Sequence, residues 1–298
     1  MTASKCHADS ARSGSPVACE GRERNRGWRI RLSNAAFAGK TILFLLLLGG
    51  LALPLQARTI EEMKQAGWNL TFHDEFDGTA LDTNKWVPHY FFDGVINHEL
   101  QAYVPSAFSL SDGILHITAK HESAVQHGKT QAYTSGAMVT LGKFSQKYGY
   151  FEIRCQLPRG RGFWPAFWLL PDSKEWPPEI DIFENLGHEN HKLHFTNHWK
   201  GPDGKERGYG QETDGPDYTA GFHTIAVDWE PNRITWYVDD VEQCHVTNHV
   251  PQQPMYVLVN LAVGGDWPKS PDPSTPFPSS FNVDYVRVYQ HSPTSSPP

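Results

Sequence analysis

From Trp68 to Gln290 the chain keeps returning to short apolar or alternating runs, separated by clusters of Gly, Pro, Asn and Asp. Examples are ILHITA, YGYFEIRCQL, EIDIFENL, KLHFTNHW, FHTIAVDWE, RITWYVDD, MYVLVNLAV and NVDYVRVYQ. These runs are rich in β-branched and aromatic residues and too short for a helical period to repeat. Such a chain buries its apolar side chains by pairing strands and stacking the resulting sheets, which argues an antiparallel sandwich or barrel. The only helical hint is IEEMKQAG, from Ile60 to Gly67. No internal repeat interrupts the pattern.

Several runs alternate cleanly. In YFEIRCQL, Phe151, Ile153, Cys155 and Leu157 share one face, and Glu152, Arg154 and Gln156 share the other. The first face reads as core. The other is polar, and a polar face inside a curved sheet can be a groove of the kind that binds polysaccharides. With 12% aromatic residues and ten tryptophans, the chain has rings enough for both a core and a ligand.

The first 57 residues read differently. A basic stretch, GRERNRGWRIRLSNAAFAGK, precedes the apolar run Thr41 to Leu55, and LQA ends at Ala57. This is the pattern of a signal peptide behind a long leader. A membrane anchor is the alternative, but the run is shorter than the ~20 residues needed to cross a bilayer, and Pro54 ends it. The expected organisation is therefore leader 1–57, one domain over 58–291 and a disordered tail over 292–298, in a secreted or periplasmic protein. Without residues 1–57, Lys and Arg fall from 26 to 18 and Asp and Glu from 33 to 30, a net charge of −12. Such acidity argues against nucleic acid or anionic lipid as a partner. The leader also takes Cys6 and Cys19, leaving Cys155 and Cys244 as a disulfide or as two thiols, with both options open. No cysteine spacing reads as a zinc site.

One strand-like run carries three acids: Glu179, Asp181 and Glu184 in PPEIDIFENLGH. Residues two apart share a strand face, so Glu179 and Asp181 point together, while Glu184 has the parity of Ile180 and Ile182. A buried unpaired carboxylate is costly. A β-bulge removes the conflict, because one extra residue flips the parity of every later residue in the strand. All three acids then line one face, with the Glu179 and Glu184 Cα atoms about 11–13 Å apart. Inward-leaning side chains would bring the two carboxyls to about 5–6 Å, the range of a retaining glycosidase pair. Asp181, between them, can hydrogen-bond a nucleophile and supply charge that favours a proton on the acid. A solvated acidic face and a metal site are the competing readings of the spacing alone.

The flanking sequences resemble glycoside hydrolase family 16, in its bulged, laminarinase-like branch. The resemblance is carried by LTFHDEFDGTALDTNKW, YTSGAMVTLGKFSQKYGYFEIRCQLPRGRGFWPAFWLLP, FHTIAVDWEPNRITWYVDD and PMYVLVNLAVGGDWPKSPDPSTPFPSSFNVDYVRVYQ, and spans Trp68 to Gln290. It implies an all-β jelly-roll sandwich of two antiparallel sheets with an open concave substrate cleft. It also implies retaining endo-hydrolysis of a β-linked polysaccharide, with endo-1,3-β-glucanase as the expected activity. The alternatives are an endo-β-glycanase acting on a bacterial exopolysaccharide, another β-glucan or a galactan, and a non-catalytic carbohydrate-binding sandwich. The last is disfavoured because both glutamates are present.

Residue by residue, the resemblance makes Glu179 the nucleophile, Asp181 its assisting acid and Glu184 the general acid/base. Trp164 and Trp176 match tryptophans that stack on sugars, with Trp168 assigned to the core. Asn97 and Glu99, in NHELQAY, match a loop over the non-reducing side, and His198 and Trp199 fall on the leaving-group side. No cofactor is implied for catalysis. A structural calcium is implied at Glu75 and Gly113 through backbone oxygens and at Asp284 through backbone and side chain, a donor set calcium favours. A monomer is expected. The chain departs from the family pattern at Pro178, where Gly is common, at Phe183, where Met is common, and in TSGAMVT, which lacks an arginine that some laminarinases carry. NLGHENHKLHFTNHW is unusually rich in histidine; a zinc site at His188, His191, His194 and His198 is disfavoured by their spacing. These departures lie near the expected cleft and bear on substrate rather than chemistry.

Overall fold

The computed structural model describes residues 58–90 and 96–291, so the leader and tail readings lie outside the described residues. A short helix, α1 (Ile60–Gln65), begins the fold where the sequence hinted. Thr59 caps it: its side chain accepts from the Glu62 amide, and the Glu62 carboxylate accepts from the Thr59 amide at 2.6 Å.

Eighteen strands follow among the described residues. The first eight are β1 (Trp68–Asp74), β2 (Gln101–Tyr103), β3 (Phe108–Ser111), β4 (Ile114–Ala119), β5 (Ala124–Gln126), β6 (Lys129–Gln131), β7 (Tyr133–Ser135) and β8 (Ala137–Val139). Next come β9 (Gly149–Gln156), β10 (Phe163–Pro171), β11 (Glu179–Glu184), β12 (Lys192–Lys200) and β13 (Glu206–Asp214). The last five are β14 (His223–Glu230), β15 (Arg233–Val238), β16 (Val241–Val246), β17 (Met255–Val263) and β18 (Ser279–His291).

They form two large antiparallel sheets. The eight-stranded sheet runs β16-β15-β14-β9-β18-β4-β3, with β1 also on β18. Thirteen-residue β18 is long enough for β4 to pair with its first part and β1 with its last. The six-stranded sheet runs β13-β12-β11-β10-β17-β8. The expected jelly-roll sandwich is thus the observed fold.

The core lies between the sheets. From one side come Phe151, Ile153, Cys155, Val227 and Trp236; from the other come Phe167, Ile180, Ile182, Val257 and Val259. The middle strands β10 and β17 are buried along their whole length, which explains their near-continuous apolar sequences FWPAFWLLP and MYVLVNLAV. Their alternate residues Trp168, Leu170, Tyr256 and Leu258 form a second cluster on the outer face of the six-stranded sheet. Trp168, assigned to the core by sequence, is therefore buried on that outer face, beside Ala166, while its neighbour Phe167 enters the main core.

The polar face of β9 does not line the face that carries the acids. Glu152 and Arg154 lie on the outer face of the eight-stranded sheet, on the far side of the core from the acids of β11. Alternation shows which residues leave the core but not which sheet they belong to. The two cysteines among the described residues, Cys155 and Cys244, are free. Cys155 on β9 and Cys244 on β16 are three strand spacings apart, so at least about 14 Å, beyond the reach of a disulfide.

Candidate active site

The bulge lies where the acid spacing requires it. Against β12, the three-residue step from Asp181 to Glu184 faces a two-residue step from Thr196 to His194. Against β10, Asp181 and Phe183 face the adjacent residues Trp168 and Phe167. Ile180, Ile182 and Phe183 all enter the core, which restores Glu184 to the face of Glu179 and Asp181. The opposite sheet contributes an anchor: Trp236 of β15, buried in the core, donates its indole N–H to the Asp181 main-chain oxygen at 2.9 Å.

Each acid meets a fixed donor. The Trp176 indole donates to Glu179 Oε2 at 2.6 Å, and the Trp164 indole donates to Glu184 Oε1 at 3.1 Å. His198 of β12 lies with Nε2 3.0 Å from Asp181 Oδ2 and 3.9 Å from Glu179 Oε1. Its Nδ1 lies 2.7 Å from Glu206 Oε1, on β13. Burial alone would lower the affinity of this imidazole for a proton. The hydrogen bonds to Asp181 and Glu206 and the nearby Glu179 charge outweigh burial and raise the pKa to about 10. Carboxylates thus face both ring nitrogens, an arrangement that a doubly protonated ring satisfies with two donated hydrogen bonds. One carboxylate oxygen each from Glu179 and Asp181 and a ring nitrogen of His198 lie within 4.8 Å of one another, a grouping of the kind that can hold a metal ion.

Asn97 and Glu99 flank the same face. The Asn97 carbonyl accepts from the Asp266 amide at 2.9 Å. A Cβ added at Gly265 would stand 2.9 Å from that carbonyl, 3.5 Å from Glu99 and 3.7 Å from the Trp164 ring, so this loop closes on Trp164. Buried Glu99 accepts from Gln101 at 2.7 Å. Trp267, which sequence reasoning did not single out, packs edge-on against both Trp164 and His194, with centroids 5.6 and 4.6 Å away. GGDW was its only signal.

Trp199 is not brought to this face. It shares the parity of Phe195 and Asn197, not of His198, and stacks on His249 at 4.3 Å with the ring planes 2° apart. Asn197 donates to the His249 carbonyl from the same side. Adjacency in sequence had placed His198 and Trp199 together; a strand separates them. The histidine-rich segment forms no common site either. His191 contacts the Gly215 carbonyl, and His194 sits between Glu189 and Glu212.

The three implied calcium ligands converge by register. β1 pairs Asp74 with Val286, and β4 pairs Leu115 with Val283, so Glu75, Gly113 and Asp284 meet where β1 and β4 abut on β18. Asp284 is an extra residue at a register shift against β9. Its carboxylate is bonded to the Arg154 guanidinium, and the Glu75 carboxylate takes a fork from Arg287 at 2.9 and 2.7 Å. Backbone oxygens of Glu75 and Gly113 are donors of the type calcium takes, and the Arg154 guanidinium occupies the Asp284 carboxylate that would join them.

Two indole-bonded glutamates on one strand face, with an acid between them and tryptophans alongside, are the parts that cleavage of a glycosidic bond by a carboxylate pair requires. Residues 103–287 match the family model described as Glycosyl hydrolases family 16. The chain is 38% identical over 255 residues to a beta-glucanase of Rhodothermus marinus, across 76% of this chain and 87% of that one. It is 38% identical over 240 residues to the endo-1,3-1,4-beta-glycanase EglC of Rhizobium meliloti, across 74% of this chain but only 51% of the relative. The laminarinase catalytic domain of Thermotoga maritima superposes with a TM-score of 0.70 at 33% identity, covering 76% of this chain and 99% of that domain. The chain belongs to glycosyl hydrolase family 16 and is an endo-β-glycanase; this chemistry needs no cofactor.

Proposed function

We propose that the protein is a secreted, retaining endo-1,3-β-glucanase. The observation that carries the mechanism is the bulge, which sets Glu179, Asp181 and Glu184 on one face with separate donors. Glu179 attacks the anomeric carbon while Glu184 protonates the leaving oxygen; Glu184 then deprotonates the water that opens the glycosyl-enzyme. Asp181, tied to His198, orients and steadies Glu179. Trp164, Trp176, Asn97 and Glu99 serve as sugar contacts. The 1,3 linkage is supported by the likeness to the Thermotoga laminarinase, and mixed 1,3-1,4 linkage is the second reading, supported by the Rhizobium relative.

Secretion is inferred from the basic-then-apolar leader, and we propose that the chain acts as a monomer. A structural calcium at Glu75, Gly113 and Asp284 would hold the β1–β18–β4 junction; chelation should lower the melting temperature, and an unchanged melt would remove it from the reading. The test of function is a product profile on laminarin, mixed-linkage glucan, galactan and exopolysaccharide, with proton NMR of the first-formed anomer. Laminarin cleaved first, with a β-anomer product, is expected. An α-anomer appearing first would overturn the two-carboxylate assignment.

A further inference from the structure

Glu206 enters the catalytic network from the edge of the sheet. It starts β13, two strands from β11, and meets the acids through His198. The side chains form a row of falling exposure: Glu206 29%, His198 14%, Asp181 1%. Gly208 lies opposite His198 in the register, where an added Cβ would stand 3.2 Å from Nδ1, so glycine there leaves the ring free to meet Glu206.

A neutral imidazole has one N–H and can donate to one carboxylate. Here carboxylates face both nitrogens at 2.7 and 3.0 Å. We propose that Glu206 is a positioning residue for hydrolysis: it holds His198 as an imidazolium, which pins Asp181 and offsets the negative charge beside the nucleophile Glu179. The kinetic part of this inference rests on the proposed function; the charge state of His198 does not. Two acids on one strand face repel each other and resist joint ionisation. A cation between them removes that penalty without blocking the face, because His198 is reached from the side by β12.

The groups facing the His198 ring are Glu179 and Asp181 from β11 and Glu206 from β13. Further along β12, His194 sits among Glu184, Glu189 and Glu212. When Glu206 is neutral, Nδ1 loses its charged acceptor and the Nε2 proton alone satisfies Asp181. The imidazole can then discharge at lower pH, and the charge that balances Glu179 goes with it.

The experiment titrates the histidine ring resonances of the full chain by NMR, with Glu206→Gln and Glu206→Asp beside the unaltered protein. His198 is expected to stay protonated through neutral pH in the unaltered protein and in Glu206→Asp. In Glu206→Gln it should bind its proton at least about tenfold more weakly. The kcat/KM of Glu206→Gln should match the unaltered enzyme on the acid side of the profile, fall at lower pH on the alkaline side, and be restored by Glu206→Asp. Superimposable His198 titrations in all three proteins would overturn the inference. So would a Glu206→Gln loss of the same factor at every pH that Glu206→Asp does not repair. Retained hydrolysis in Glu179→Gln would sink the proposed function alone, since the titration is read without substrate.

Discussion

The two outer faces of the sandwich each bury carboxylates, and they treat them in opposite ways. On the six-stranded sheet, Glu179, Asp181 and Glu184 are 1%, 1% and 5% exposed, and each meets an indole or imidazolium donor. On the eight-stranded sheet, Glu152 is fully buried among Tyr150, Tyr285 and Tyr289 with no partner in hydrogen-bonding geometry among the described residues. Burial drives its pKa up to about 7; the nearby Tyr285 hydroxyl and Arg287 pull it down only in part. Burial alone therefore makes a carboxyl a proton store. Fixed donors aimed at it make a buried carboxyl usable as a nucleophile or acid.

The largest expected effect separates the faces outright. Glu179→Gln and Glu184→Gln should each lower kcat at least about a thousandfold at unchanged melting temperature, while Glu152→Gln leaves kcat untouched. Initial rates on laminarin and thermal melts check this; either catalytic variant keeping more than about a tenth of the rate would end the assignment.

Next in size is a pH effect on stability carried by Glu152. Its folded pKa of about 7 exceeds the unfolded value of 4.5, so the folded state holds the extra proton between those values. Stability should then fall as pH rises through that window, by at most about 3–4 kcal/mol. Glu152→Gln should flatten the slope and raise stability above pH 7, read from urea unfolding at several pH values; a slope equal to that of the unaltered protein would show that the carboxyl is already ionised.

The donors themselves come third. Trp176→Phe removes a hydrogen bond to a charged group worth about 1.5–3 kcal/mol and should cost kcat about tenfold or more. Trp236→Phe removes the indole donor to the Asp181 carbonyl and should destabilise by about 1–3 kcal/mol, with activity falling as the bulge relaxes. A Trp236→Phe enzyme with unaltered melting would mean that the bulge holds itself. The smallest effect tests a placement: Trp199→Ala should leave kcat/KM within about twofold, because its ring stacks on His249 away from the acids.

Strand alternation and the three-residue step between Asp181 and Glu184 were enough to read a sandwich and a bulge from the chain alone. Both are local: parity comes from the pleat, and an acid on the wrong face is too costly to be accidental. The partners that make the acids work were not legible. Trp236 comes from the opposite sheet, Glu206 from a neighbouring strand and Trp267 from the loop after β17, none at a spacing that points to β11. The same limit sent Trp199 to the wrong face and left open which sheet the polar side of β9 belongs to. A strand's own residues decide which side chains share a face. Only the stacking of sheets, through contacts between segments far apart in sequence, decides what that face meets.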